Sequence, residues 1–515
     1  MSPVSPTQLA SIDHVRAAEH GINDIIGAHK DWFMSMDGRA PLSINTAEFE
    51  FSVAQARLIF SCWTEKGTQT WRVNAWSWTG EKLILQASRR MGAERATIEL
   101  IPQASAKAIV ASIAAARQER CDKLAQIVAE RLSAKIEKSA LSPGMRRDQP
   151  GRYARIILRL PHERIAVTSI AARSDARNVD SLFSSTLLWF NRLLASPKKP
   201  AIHRLLLVVE HGILEAARQR HVLLRDSLQQ RIELFEIDDD WQTIESTKSW
   251  ETKYLWRKRL NRFPPVHETE QSNLVDGIIA TQPDAIDVVA ARHGQTLRYH
   301  GLPFARTRRV MNRDRVWFGI EGSRRRALDE YHHSDWWKLL SDLETYRNAE
   351  CRDRRHWFYR ASGEAWLESM LRRDISRLDP GLIIAPLHAQ FRTSHGGPTG
   401  ARPIDLLALR HDGRLVVIEL KVNEDREHVF QGVDYWRRVE AHRRRGHIAS
   451  AKLFGDREIS DESPLVYLVA PALRFHPSFA TLARTIAPDI EIYRFDINED
   501  WRNGVRVVRR ERVNA

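Results

Sequence analysis

Residues 402–421 read RPIDLLALRHDGRLVVIELK, and the fold of the chain turns on this stretch. Two runs rich in apolar and β-branched residues flank His411-Asp412-Gly413. An Asp-Gly between such runs is a strong hairpin signal. The predicted hairpin carries Asp405 on its first strand and Glu419 and Lys421 on its second. Side chains alternate along a strand, so Glu419 and Lys421 project from one face and Leu420 from the other. Ionisable groups on an apolar sheet are costly for structure alone, because buried charges must be paired or must hold a metal. Two facing carboxylates repel, and a divalent cation removes the conflict. Magnesium prefers oxygen ligands and keeps several waters, so two carboxylates, with or without a backbone carbonyl, are a plausible protein share of an octahedral site. Such an ion polarises a phosphoryl oxygen and lowers the pKa of a bound water, while a neighbouring lysine orients that water or stabilises developing charge. The chemistry expected is phosphodiester hydrolysis.

Outward from the hairpin, the pattern predicts a strand over Leu382–Phe391, a helix over Glu427–Arg445, a strand over Leu465–Ala470, a helix over Ser478–Ile486 and a strand over Ile490–Phe495. In QGVDYW, Gln431 and Tyr435 stand one helical turn apart on one face. Upstream, GEAWLESMLRRDI offers two acidic residues, Glu364 and Glu368. Glu368 borders the apolar stripe Leu367, Leu371, Ile375 and Leu378, so it is the one expected to face the sheet.

These residues resemble the PD-(D/E)XK nuclease superfamily, in particular its RecB-like branch, with mismatch endonucleases and Holliday-junction resolvases as similar catalytic domains. The resemblance spans Arg355 to Trp501. It implies an α/β fold with a restriction-endonuclease-like αβββαβ core and a mixed central sheet. It further implies Asp405 and Glu419 as metal ligands, Lys421 as the catalytic lysine, Gln431 and Tyr435 as accessory residues, and Glu368 as the acidic residue on the preceding helix. The cofactor it implies is Mg2+ or Mn2+, and the partner DNA, with RNA left open. One departure is that Ile404 separates Pro403 from Asp405.

At 515 residues the chain is long enough for two to four domains, and its net charge of +14 suits a polyanionic partner. The positive charge is uneven. Arg306, Arg308, Arg309, Arg324, Arg325 and Arg326 crowd the approach to the hairpin domain, and arginines at this density neutralise phosphates without reading sequence. The alternative for them is a solvated surface paired with Asp and Glu. The loop His395–Gly400 lacks the lysine and hydroxyl residue of a phosphate-binding loop and is expected to touch substrate instead. Cys62, Cys121 and Cys351 match no disulfide or zinc spacing. With neither a leader pattern nor a membrane-length apolar run, the expected location is cytoplasmic.

Toward the N-terminus, residues 48–100 read as strands, with Trp63, Trp71, Trp76 and Trp78 expected to fill a small core or to stack on bases. Residues 1–45 read as a short helix and a connecting segment, and Ser105–Lys138 as one long helix. Gly151–Asp175 then aligns without a gap on the hairpin, with Arg155 on Asp405, Ser169 on Glu419 and Ala171 on Lys421. The hydrophobic pattern repeats while the chemistry is missing, which predicts a degenerate nuclease-like module. Four segments are expected: residues 1–103, a small β-rich domain; 104–245, the degenerate α/β module; 246–325, a connector and small β-rich region; and 326–515, the nuclease domain. The N-terminal module is a candidate surface for a second copy or a protein partner. The function expected is a DNA endonuclease serving repair, recombination or defence. Against it stand a non-catalytic nucleic-acid-binding protein and a protein-assembly factor, each retaining the scaffold.

Overall fold

A computed structural model describes residues 6–515 apart from 30, 38–41, 47, 65–66, 90–91, 93, 104–105, 145–150, 173–178, 198–199, 239, 249, 258–259, 261–262, 264–272, 292–293, 311–312, 321–325, 385–386 and 392–403. Among the described residues four sheets carry the chain, two antiparallel and two mixed, so the class is α/β. Two compact units contain them: residues 1–221 with 227–249, and residues 222–226 with 250–515. No helix among the described residues is long and apolar enough to cross a membrane.

In the first unit, an eight-stranded antiparallel sheet extends from Thr7–Gln8 to Glu94–Pro102. Helix Ile12–Gly27 packs Val15, Ala18 and Ile22 against its buried Trp32, Phe60 and Trp71. Trp76 and Trp78 pack on the same core, so these tryptophans serve burial, while the Trp63 side chain lies outside the described residues. Two short strands, Asp31–Met36 and Leu42–Asn45, stand where a connecting segment was expected; only Trp32, Met34 and Ile44 mark their alternation.

A mixed sheet follows. Helix α1 (Ala106–Leu132) precedes strands β1 (Lys135–Leu141), β2 (Tyr153–Arg159) and β3 (Arg164–Ile170). Helix α2 (Val179–Leu194), β4 (Ile202–Glu210), α3 (His211–His221), β5 (Ile232–Ile237) and β6 (Ile244–Ser246) complete it. The single helix expected over Ser105–Lys138 is therefore too long. Ser133 takes a φ of +50° and ends it. KIEKSAL is instead an edge strand whose charges suppress the apolar alternation that would have announced it.

The second unit opens with a five-stranded antiparallel sheet from Ile286–Ala291 to Arg326–Ala327, covered by Trp336, Leu340 and Leu343 of helix His333–Tyr346. Next come α4 (Gly363–Arg373), β7 (His388–Phe391), β8 (Ile404–Leu409), β9 (Leu415–Leu420), α5 (His428–Arg443), β10 (Leu465–Pro471), α6 (Phe479–Ala483), β11 (Ile492–Ile497) and β12 (Val507–Arg512). The strand expected over Leu382–Phe391 is shorter, with Leu382 making only an isolated bridge to Arg410. Strand β12, rich in exposed arginine, was not expected.

Both mixed sheets run in chain order, β1 to β6 and β7 to β12. In each, the first three strands are antiparallel, the third, fourth and fifth parallel, and the sixth antiparallel. The hairpins differ by one residue in the turn. Arg410 N–H bonds Arg414 O across a three-residue loop in which Gly413 takes a φ of +79°, whereas Leu160 N–H bonds Glu163 O across two residues. The ungapped alignment is thus one residue out on the second strand. Arg155 pairs with Thr168, not Ser169, and Ser169 projects to the other face with Val167. Thr168 and Ile170, rather than Ser169 and Ala171, hold the positions of Glu419 and Lys421.

The second mixed sheet is a layer between two apolar sets. Trp366, Leu367 and Leu371 of α4 meet Leu406, Ile418 and Leu420 on one face, and Tyr435 and Val439 of α5 meet Leu407, Leu409 and Val417 on the other. A Cβ at Gly432 would stand 2.5 Å from Leu468 Cδ2, so this glycine lets α5 approach the sheet closely. At the opposite face, the Tyr299–Leu302 hairpin turns through His300 and Gly301. A Cβ at Gly301 would stand 1.9 Å from Ala365 O, so the turn rests against α4.

Candidate active site

The antiparallel pairing of Leu406 with Ile418 sets Asp405 opposite Glu419 one step further along the hairpin. Both lie on the face covered by α5, and Leu420 N–H donates to Asp405 Oδ2 at 2.9 Å. Glu419 is 2% exposed. Lys421 Nζ donates to Glu419 Oε1 at 2.7 Å, while Glu419 Oε2 is buried with no hydrogen-bond partner. Burial, and then the charge of Glu419, hold the Asp405 carboxyl well above the usual carboxylate range. Burial also raises Glu419, against the pull of Lys421. Burial alone would lower Lys421, but Glu419 and Glu364 outweigh it and keep the ammonium charged.

Helix α5 closes the site. Gln431 and Tyr435 are both buried on its inner face, and Gln431 Nε2 lies 3.5 Å from Asp425 Oδ2. Burial, followed by the charges of Glu419 and Asp405, raises the Tyr435 phenol, so its hydroxyl keeps its proton beside the carboxylates. Two residues that sequence patterning did not single out belong here. His428 Nε2 lies 3.2 Å from Glu419 O, and burial with the nearby Lys421 lowers its pKa to about 3, leaving a neutral ring. Asp425 Oδ2 is 3.7 Å from Lys421 Nζ. The helical spacing of His428, Gln431 and Tyr435 places all three on one face and would have marked the histidine.

The acidic residue on α4 is not the one expected. Glu368 Oε1 receives Arg298 Nη1 and Nη2, both at 3.1 Å, and Arg298 also binds Asp287 at 2.6 Å. Glu368 is thus tied to a buried ion-pair network with the five-stranded sheet. Glu364, one turn earlier, places Oε1 4.0 Å from Lys421 Nζ. The apolar stripe correctly marked the buried face of α4, but that face meets Arg298 as well as the mixed sheet.

Among the described residues no group of three or more His, Cys, Asp or Glu is arranged to hold a metal ion. The two opposed carboxylates, with one buried oxygen of Glu419 lacking a partner, nevertheless fit a hard cation that keeps most of its waters. Pro403 and the His395–Gly400 loop lie outside the described residues.

The arginine-rich approach forms part of the five-stranded sheet. Arg306 and Arg308 are exposed on strand Leu302–Val310, where Arg306 pairs with Trp317 and Arg308 with Arg315 of the next strand. Arg315 is exposed too, so this face sets like charges directly opposite each other. Arg309 is exposed opposite Asp314. Arg326 bonds Asp335 and is committed within the protein, while Arg324 and Arg325 lie outside the described residues.

No family model matches the chain, and no curated protein matches it. Among solved structures, it is similar to a chain of the EndoMS-dsDNA2 complex, over 46% of this chain and 97% of that one, with 12% identity and a TM-score of 0.15. At that TM-score the likeness carries no weight, and the chemistry of the site rests on its own geometry.

Proposed function

We propose that the chain is a Mg2+- or Mn2+-dependent DNA endonuclease of restriction-endonuclease-like fold, acting in the cytoplasm, with its single centre in the second mixed sheet. The observation that carries this is the mutually opposed pair of half-buried Asp405 and buried Glu419, with Lys421 bonded to one Glu419 oxygen and the other oxygen unpartnered. Asp405 and Glu419 would hold the cation. When bound there, it polarises a phosphodiester oxygen and makes a coordinated water more acidic. Lys421 holds Glu419 in place and offers positive charge to the phosphate as negative charge builds up. Tyr435 and Gln431 present neutral donors beside the carboxylates, and Glu364 holds Lys421 on its outer side. The exposed Arg306, Arg308 and Arg315 supply phosphate contacts. The first mixed sheet, with Arg155, Thr168 and Ile170 at the corresponding positions, is a nuclease-like module without cleavage chemistry.

The test is incubation of the full chain with single-stranded, duplex, branched and mismatched DNA, with Mg2+, with Mn2+ and with chelator. Metal-dependent cleavage that disappears in Asp405→Asn is expected. Absence of cleavage from every substrate with both metals would remove the enzymatic reading and leave a binding protein.

A further inference from the structure

A cavity of about 550 Å3 opens in the first unit between the first mixed sheet and α2, reaching from Arg155 toward the β2–β3 turn. Its volume suits a small organic ligand. The charges on its wall are lopsided. Glu137 is its acidic residue, and Arg164 neutralises it through two bonds, Nε to Oε2 at 2.7 Å and Nη2 to Oε1 at 2.6 Å. Three further cations line the space: Lys138 and Arg192, both exposed, and Arg155, half-buried. The Arg155 guanidinium lies 5.7 Å from the ring centroid of Trp189, which is 9% exposed and forms an apolar wall. Ala140 pairs with Arg155 and Lys138 with Ile157 across β1 and β2, so Arg155 and Lys138 share one face of the sheet.

We infer that this cavity binds a nucleoside 5′-monophosphate, either free or as the phosphorylated 5′ end of a strand. Arg155, Arg192 and Lys138 together offer the charge that a phosphate monoester requires, and a guanidinium can bond such a group through two N–H donors. The remaining volume is far more than a bare phosphate fills, and the Trp189 wall suits a base. Where the second module gathers carboxylates, the first has replaced one with an arginine beside a cationic cavity, exchanging cation chemistry for anion capture. This site stands apart from the nuclease reading, because it uses none of the second module's residues.

The test uses the full chain in chelator, so that no cleavage intervenes. Calorimetric titration with dAMP measures the free ligand, and fluorescence anisotropy compares 5′-phosphorylated with 5′-hydroxyl forms of one single strand. Saturable dAMP binding identifies a free nucleotide, and a 5′-phosphate-dependent gain in strand affinity identifies a strand end. Lys138→Glu combined with Arg192→Glu, both surface changes that leave the core intact, is expected to weaken the response at least tenfold. Arg155→Gln should do the same, and Asp405→Asn should leave it unchanged. No dAMP binding together with no 5′-phosphate dependence would overturn the inference. So would unaltered affinity in both cavity variants, or inorganic phosphate competing as well as dAMP.

Discussion

Asp405 and Glu419 oppose each other across the hairpin, and the buried Glu419 raises the cost of ionising Asp405. Asp405→Asn keeps an acceptor for Leu420 N–H while removing one charge. It is expected to reduce cleavage by roughly 1000-fold and to stabilise the metal-free protein by on the order of 1 kcal/mol, the scale of an unmet buried polar group. The sign follows from linkage. A carboxyl whose folded pKa is raised contributes its stability below the unfolded pKa and loses it as pH rises through the folded value. Thermal melts without metal should therefore show the wild type falling behind Asp405→Asn as pH increases above about 4, and added Mg2+ should narrow the gap. The two acidic residues of α4 separate cleanly. Glu368→Ala leaves Arg298 short of a buried partner and should cost about 3–5 kcal/mol in denaturant unfolding. Glu364→Ala should leave the melting temperature within about 1 °C, consistent with a surface change of a few tenths of a kcal/mol, and lower kcat. The reverse pattern would exchange their roles.

At the scale of elements, helix α4 is held by the close approach of a turn. Gly301 lets the His300–Gly301 turn press on α4, which carries Glu364. A φ of +78° and the contact with Ala365 O both exclude a side chain there. Gly301→Ala should destabilise by about 2 kcal/mol or more and depress activity through a displaced α4, measurable as a fall in melting temperature with a fall in kcat. His300 lies in the same turn, stacked on Trp366 at 5.2 Å, with burial lowering its pKa to about 4. A base with a lowered folded pKa takes up protons on unfolding, so stability is lost as pH falls from about 6.5 toward 4. The exposed face of the five-stranded sheet behaves differently. Arg306→Gln with Arg308→Gln removes one side of a like-charge pairing, so the fold should be unharmed. DNA affinity should fall similarly on all sequences, with the log–log salt slope reduced by roughly 0.9 for each lost phosphate contact. An unchanged slope would place the DNA elsewhere.

For the whole molecule, two mixed sheets of one topology occur in a single chain, and among the described residues only the second carries opposed carboxylates across its hairpin. If the proposed centre is the one that acts, each chain cuts one strand at a time. Supercoiled plasmid should pass to the open circle, with linear product appearing only later; linear product formed at the outset would mean that two centres act together. The first module should bind without cutting, so Arg155→Gln should leave cleavage of a plasmid, which has no strand ends, within about twofold, an effect below about 0.4 kcal/mol.

The sequence alone determined the hairpin, its three ionisable residues and the helix bearing Gln431 and Tyr435. These features are written in local pattern: the short apolar runs Ile404–Leu409 and Leu415–Leu420, Gly413 in the turn between them, and helical spacing in QGVDYW. The repeat in Gly151–Asp175 was legible for the same reason. Its register was not, because a turn shorter by one residue shifts every later side chain to the other face without disturbing the apolar pattern. The charged edge strands β1 and β12 escaped notice because edge positions favour polar residues that resemble loop or helix surface. Tertiary structure alone decided between Glu364 and Glu368. Both lie on one short helix, and only the arrival of Arg298 from a distant strand fixes Glu368 in a structural ion pair. It also opened the cationic cavity beside Trp189. Each of these depends on which elements meet in space, and residue spacing along a single element carries no record of that.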